Sequence, residues 1–293
     1  MPPSVSSSNS TPDDGLMVTE IRAGQAWWKI NVRELFEYRD LLMLLVKRDL
    51  TAVYKQTILG PLWFIIQPLV TTVVFTVIFG TVAQIDVGEV PHFVFYMSGL
   101  VFWNYFAGIL NHGAGSLISN SNVLSKVYFP RLIIPLSGVI TQLAHLALNF
   151  VTFLGFYAWY FWQGADLQPN RWLLFLPVLV LQCALMGLGF GLWVSSLTIK
   201  YRDLKFALPF MIQLWMYATP IVYPAALVVT PLYRKILWLN PMTAVVEFGR
   251  HGFTGQGSVY LGGLALSWGV TLFMLVSGLM LFNRIQRTFV DTL

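Results

Sequence analysis

A chain of 293 residues that is 56% hydrophobic and only 11% charged, with a mean hydropathy of +0.66, cannot coat a water-soluble globule. In hydrocarbon every backbone N–H and C=O must be paired internally, so spanning elements are helices or closed barrels. The net charge of +5 does not point to nucleic acid, because the basic residues border apolar runs, and the single cysteine, Cys183, excludes an intrachain disulfide framework or a thiolate zinc cluster.

Residues 1–20 are Ser- and Pro-rich at their start (MPPSVSSSNSTPDDG), carry no positive segment ahead of an apolar core, and read as a disordered tail, not a signal peptide. Residues 21–55 read as an amphipathic cytoplasmic interface helix. From Trp27 to Tyr54 there is no Pro or Gly, and Trp27, Trp28, Leu35, Tyr38, Leu42 and Leu45 alternate with Arg33, Glu37, Asp40, Lys47 and Arg48. Such a helix anchors a protein at the headgroup level whether or not it does anything else. Arg48 and Lys55, just before the first apolar run, either enforce topology or meet an anionic headgroup such as a lipid-linked diphosphate.

Residues 56–293 form the membrane domain of an all-α membrane protein. Six uncharged runs, 56–85, 90–125, 132–165, 172–199, 206–233 and 251–283, can each hold the ~20 apolar residues a span requires. They predict helices near 61–83, 93–111, 132–160, 173–197, 206–226 and 260–282. Six crossings put fourteen Lys and Arg on one side and four (Arg171, Arg234, Lys235, Arg250) on the other. The positive-inside rule then places both termini in the cytoplasm. There is no internal repeat of the kind many secondary transporters show, and a wide path would form most naturally between two copies around a two-fold axis.

Within the third run Gln142, His145 and Asn149 share one helix face, which predicts a polar stripe turned away from lipid toward another helix or a wet cavity. The fourth run carries Ala184, Gly187, Gly191 and Ser195 at a spacing that permits close helix packing. Aromatic residues crowd the spans. Most suit the interface or the core, but a subset facing a cavity would offer a slippery wall on which sugar rings stack. The candidates for such a lining are Trp63, Tyr96, Phe102, Trp103, Phe106, Tyr157, Trp215, Tyr217 and Tyr223.

Between the fifth and sixth runs the segment ATPIVYPAALVVTPLYRKILWLNPMTAVVEFGRHGFTG holds Pro220, Pro224, Pro231 and Pro241. Proline removes a backbone donor and breaks helices, so the pieces are too short to cross, yet they stay apolar. A re-entrant helical hairpin over 224–252, with helices near 224–237 and 241–252, dipping in from outside, is favoured over a watery loop.

No G-x-x-x-x-G-K-[ST] occurs, the glycines of 255–263 lack the Rossmann spacing, and no Ser/His/acid grouping or metal-ligand pattern is present. The strings YKQTILGPLW (54–63), Tyr201-Arg202-Asp203, TPIVYP (219–224) and LNPM (239–242) together resemble the ABC type-2 polysaccharide-export permeases, over the chain from about Trp28 onward. YKQTILGPLW is the more specific of these. The resemblance implies a non-enzymatic transport subunit in the bacterial inner membrane, with no cofactor or metal of its own. Two copies would form the pore and bind two copies of a P-loop ATPase that holds ATP and Mg. An undecaprenyl-diphosphate-linked polysaccharide such as O-antigen would then move outward. It also implies that the 120–131 loop, with Asn122, Lys126 and Arg131, docks on the ATPase beside Tyr201, Arg202 and Asp203. Capsule or teichoic acid export, a small-amphiphile permease of the same scaffold, a membrane-embedded lipid enzyme and a secondary transporter are the competing readings. The last two are disfavoured because His145 has no carboxylate partner in any predicted span and no repeat is present.

Overall fold

The computed structural model describes residues 32–55, 58–120, 129–201 and 203–290. The expected tail, the first part of the interface helix, Asn122, Lys126 and Arg202 lie outside the described residues.

Ten α-helices are described: α1 (Val32–Glu37), α2 (Arg39–Tyr54), α3 (Trp63–Phe75), α4 (His92–Ser119), α5 (Ile133–Trp162), α6 (Leu176–Lys200), α7 (Leu204–Tyr217), α8 (Pro231–Leu239), α9 (Pro241–Thr254) and α10 (Leu261–Val290). The expected single interface helix is interrupted at Tyr38, which leaves helical geometry (φ −93, ψ 19) before α2 resumes. Five helical stretches, Gly60–Val82, His92–Leu117, Ile133–Trp162, Arg171–Lys200 and Leu261–Ile285, are long and apolar enough to cross a membrane. The first continues α3 through a π-helical turn, Thr76–Val82, and Gly80 in it has no side chain because a Cβ there would meet the His92 ring at 2.8 Å.

The fifth predicted span, 206–226, is the one that differs. Its helix, α7, stops at Tyr217 after 14 residues, about 21 Å, where a crossing needs about 30 Å. Pro209 leaves a gap in its ladder, and Pro220 prevents it from resuming.

α4 is the central post, packed against α3, α5, α6, α7 and α9, while α3 and α10 present most of their apolar side chains outward. The small-residue row of α6 explains the tightest of these contacts. Gly191 lies against Gly113, where an added Cβ would come within 3.2 Å of the facing Cα; Gly187 seats Ile109; and Ser195 Oγ lies 3.3 Å from Ser116 Oγ. These pairs advance together in sequence, so α4 and α6 run parallel. Gln182 with Ser267 (2.6 Å) and Trp193 with Ser277 (2.9 Å) make α6 and α10 parallel as well. The ends at Ser119, Lys200 and Val290 therefore fall at one end of the bundle. α5 runs the other way, with Gly108 against Gln142 and Gly138 against His112. Its polar stripe faces inward: the Phe64 ring stacks on His145 (centroids 3.9 Å), His145 Nδ1 lies 3.1 Å from Gln142 Oε1, and Asn149 is buried. Leu45 of α2 packs with Phe129, Ile133 and Ile134, which fixes α2 to the start of α5.

Candidate functional site

The LNPM string is a helix start. Asn240 is the N-cap of α9, its Oδ1 accepting from Met242 N (3.1 Å), and Pro241 occupies a first-turn position where no N–H is required. The same Oδ1 accepts from Trp215 Nε1 (3.0 Å), and Asn240 Nδ2 donates to Thr219 Oγ1 (2.9 Å). The two short motifs TPIVYP and LNPM thus touch, through one asparagine that joins the end of α7 to the beginning of α9.

Irregular backbone at 218–223 requires partners that a helix would have supplied. Arg250 of α9 supplies them: its Nη2 donates to the carbonyls of Pro220 (2.9 Å) and Ile221 (3.3 Å), and its Nη1 to Glu247 Oε1 (2.8 Å). Glu247 Oε1 also accepts from Ala225 N (3.4 Å), and its Oε2 accepts from Ser258 N (2.9 Å) and Ser258 Oγ (3.1 Å). Both side chains are 1% exposed, and the guanidinium lies 3.7 Å over the Phe95 ring of α4. A buried charge persists only when paired and hydrogen-bonded, and this pair ties the 220–225 stretch, α9 and Ser258 to the central post. The sequence reading counted Arg250 among the four cations on the non-cytoplasmic side, within the re-entrant segment, and passed over Glu247. The signal was there: a Glu and an Arg at i, i+3 on an otherwise apolar helix demand each other.

Beside this pin lies an open pocket of about 310 Å³ lined by Trp215, Ala218, Tyr223, Val228, Tyr233, Ile236, Leu237 and Asn240. Trp215 is held edge-on by Phe190 (5.0 Å), Phe106 (5.1 Å) and Trp103 (6.1 Å). Of the nine aromatic candidates, Trp215 and Tyr223 meet in this pocket. Tyr96, Phe102, Trp103 and Phe106 are instead buried in the core, and of these Trp103 and Phe106 back Trp215. Tyr157 is committed to α9, donating to Phe253 O (2.8 Å). Trp63 and Tyr217 are exposed, Tyr217 near Phe75. Tyr233 belongs to the wall and was missed, because in the sequence it sits between prolines beside Arg234 and Lys235.

At the other end of α4, Lys55 is exposed, whereas Arg48 is already shared between Asp49 (Nη2 to Oδ1, 2.8 Å) and Asn120 (Nη1 to Oδ1, 3.0 Å). Arg131 lies in the turn before α5. Tyr201 and Asp203 lie between α6 and α7, with Tyr201 exposed and Lys200 Nζ 5.2 Å above its ring. Among the described residues no group of His, Cys, Asp and Glu is arranged to hold a metal.

Residues 40–254 match the family model described as ABC-2 type transporter. The chain is 31% identical over 218 residues to the O-antigen export system permease protein RfbA of Myxococcus xanthus, covering 73% of this chain and 80% of that one. It is 27% identical over 267 residues to the protein of the same description from Klebsiella pneumoniae (90% and 98% covered). Against the polysialic acid transport protein KpsM of Escherichia coli it is 23% identical over 257 residues (86% and 93%). The long apolar helices and these matches carry one conclusion: the chain belongs to the ABC-2 type transporter family, as a membrane permease related to polysaccharide export systems.

Proposed function

We propose that this chain is the membrane-spanning half of an ATP-driven exporter that moves a lipid-linked polysaccharide, on an undecaprenyl-diphosphate carrier, outward across the bacterial inner membrane. The observation that carries the reading is the aromatic pocket beside the broken segment. Trp215, Tyr223 and Tyr233 offer flat apolar faces, and Asn240 offers an amide edge, which is the combination a pyranose ring uses. O-antigen is the favoured cargo because the relatives at 31% and 27% identity are described as O-antigen exporters. Capsule and teichoic acid export share the chemistry.

In this reading the chain crosses six times. The fifth crossing is α7 completed by residues 218–223, whose carbonyls Arg250 satisfies. The hairpin of α8 and α9 is re-entrant from outside, and both termini are cytoplasmic. Two copies enclose the path, and two copies of a P-loop ATPase supply ATP and Mg and dock at the end where α4 and α6 finish. Docking engages the 120–131 stretch (Asn122, Lys126, Arg131) with Tyr201, Arg202 and Asp203. Trp63, Trp215, Tyr217 and Tyr223 remain available as lining, with Trp103 and Phe106 backing Trp215. Lys55 is the first cation a lipid diphosphate meets, since Arg48 joins only by releasing Asp49 or Asn120. Deletion of the chain tests the function. Cells should lose surface polysaccharide and accumulate carrier-linked glycan inside, and the chain should co-purify with a P-loop ATPase. Unchanged surface glycan together with lost export of a small amphiphile would replace this reading with the drug-permease one.

A further inference from the structure

Within the polar cluster at the cytoplasmic end of α4, Asp49 and His112 have no role in the steps above. α2 contributes Arg48 and Asp49; α4 contributes His112, Ser116 and Asn120, one above another on successive turns. Asp49 Oδ2 lies 3.2 Å from His112 Nε2, and its Oδ1 accepts from Arg48 Nε (2.9 Å) and Nη2 (2.8 Å). Arg48 Nη1 continues to Asn120 Oδ1 (3.0 Å), and Asn120 Nδ2 donates to Ser116 O (3.0 Å). The other face of the imidazole is closed by α5: a Cβ on Gly138 would collide with His112 Nδ1, which has no hydrogen-bond partner among the described residues. Asp49 is therefore unlike its neighbours on α2. Its side chain is 16% exposed, whereas Arg39 and Asp40, which pair with each other, are 77% and 96% exposed.

These contacts hold α2 to α4 over two helical turns, His112 to Asn120, about 12 Å of helix. α4 then runs, buried, to Phe95, which lies beneath Arg250 at the opposite end, 17 residues or about 26 Å from His112. The apolar contacts of Leu45 with Ile133 and Ile134 fix α2 to α5 but not to α4. A helix joined to α4 by a carboxylate on an imidazole and a guanidinium on an amide cannot part from it without breaking charge-assisted bonds.

We propose that Asp49 is a positioning residue for energy coupling: by fastening α2 to α4 through His112 and, by way of Arg48, to Asn120, it makes the two helices one lever between the ATPase-facing end and the pinned broken segment. The inference rests on the exporter reading. It adds that coupling runs through this side-chain clamp as well as through the docking surface itself.

The test uses the co-purified complex with its ATPase in proteoliposomes, reading ATP hydrolysis and the ATP-dependent transfer of a fluorescent undecaprenyl-diphosphate oligosaccharide. Asp49→Asn should leave hydrolysis within about twofold of the unaltered complex while lowering glycan moved per ATP by about tenfold or more. The double variant Asp49→Cys/His112→Cys should behave likewise until a short bifunctional thiosulfonate bridges the two thiols, which should restore transfer per ATP. Cys183 is buried and does not compete for the reagent. A stoichiometry in Asp49→Asn equal to that of the unaltered complex, or a bridged double variant that recovers nothing, overturns the proposal. An unaltered complex that moves no glycan overturns the exporter reading instead, so the two failures are told apart.

Discussion

Replacing Arg250 by Met removes a guanidinium that is 1% exposed and strips four contacts at once: the 2.8 Å bond to Glu247, the bonds to the Pro220 and Ile221 carbonyls, and the stacking over Phe95. What remains is a buried Glu247 carboxylate with only Ser258 and Ala225 as donors. Breaking a buried pair from one side costs about 3–5 kcal/mol, chiefly because the surviving charge has lost its partner. The double replacement Glu247→Gln/Arg250→Met removes that charge. It leaves the Pro220 and Ile221 carbonyls unpaired just as the single variant does, but strands no charge, so it should cost less than the single variant. The single variant should therefore be less stable than the double, an ordering that a simple sum of lost contacts reverses. Thermal inactivation of the purified chain in one fixed detergent reads the ordering. At roughly 2–4 °C per kcal/mol the single variant should lose on the order of 10 °C, and the double should recover part of it. A single variant as stable as the unaltered chain, or a double variant less stable than the single, would refute the claim that this pair holds the broken segment in place.

Other consequences are smaller and separable. Asn240→Ala removes an N-cap and the bonds to Trp215 and Thr219; it should cost at least the ~1 kcal/mol of a lost cap, and indole fluorescence should report a looser Trp215. Gly191→Val forces α6 from α4 at the Gly113 contact, where overpacking typically costs about 1–3 kcal/mol, and should lower the yield of monodisperse protein, whereas Gly155→Val, facing open space, should not. Burial alone pushes the Asp49 carboxyl up, but hydrogen bonds from His112 and Arg48 and their charges outweigh it and hold it below its ordinary 3.8. A carboxyl depressed on folding contributes stability that is complete above its unfolded value and is lost as pH falls through the lowered one. Protection of the α2 amides, taken relative to the intrinsic exchange rate at each pH, should therefore fall below about pH 4 in the unaltered chain, and in Asp49→Asn it should already be low at neutral pH.

The long spans were legible because lipid imposes a rule that composition alone reveals: uncharged runs of sufficient length must be helices. The same rule hides which way a ring points. Phe102 in the core and Phe210 on the surface are equally apolar, so the aromatic set could be gathered but not sorted. Prolines signalled the broken segment, yet the run of hydropathy from 206 onward masked that α7 ends at Tyr217. Partners distant in sequence were the least visible. Arg48 read as a topogenic or headgroup-binding cation because Asn120 is 72 residues away, and Arg250 counted only toward the charge balance because the carbonyls it satisfies exist only where Pro220 has broken a helix.

The central claim is that this permease conducts a lipid-linked glycan while a partner hydrolyses ATP. Sealed proteoliposomes holding the permease with its co-purified ATPase, loaded with undecaprenyl-diphosphate oligosaccharide, test it most directly. ATP added on the ATPase side should move the glycan to the opposite face, and neither subunit alone should do so. Movement without the ATPase, or none when both are present and hydrolysing, would contradict it.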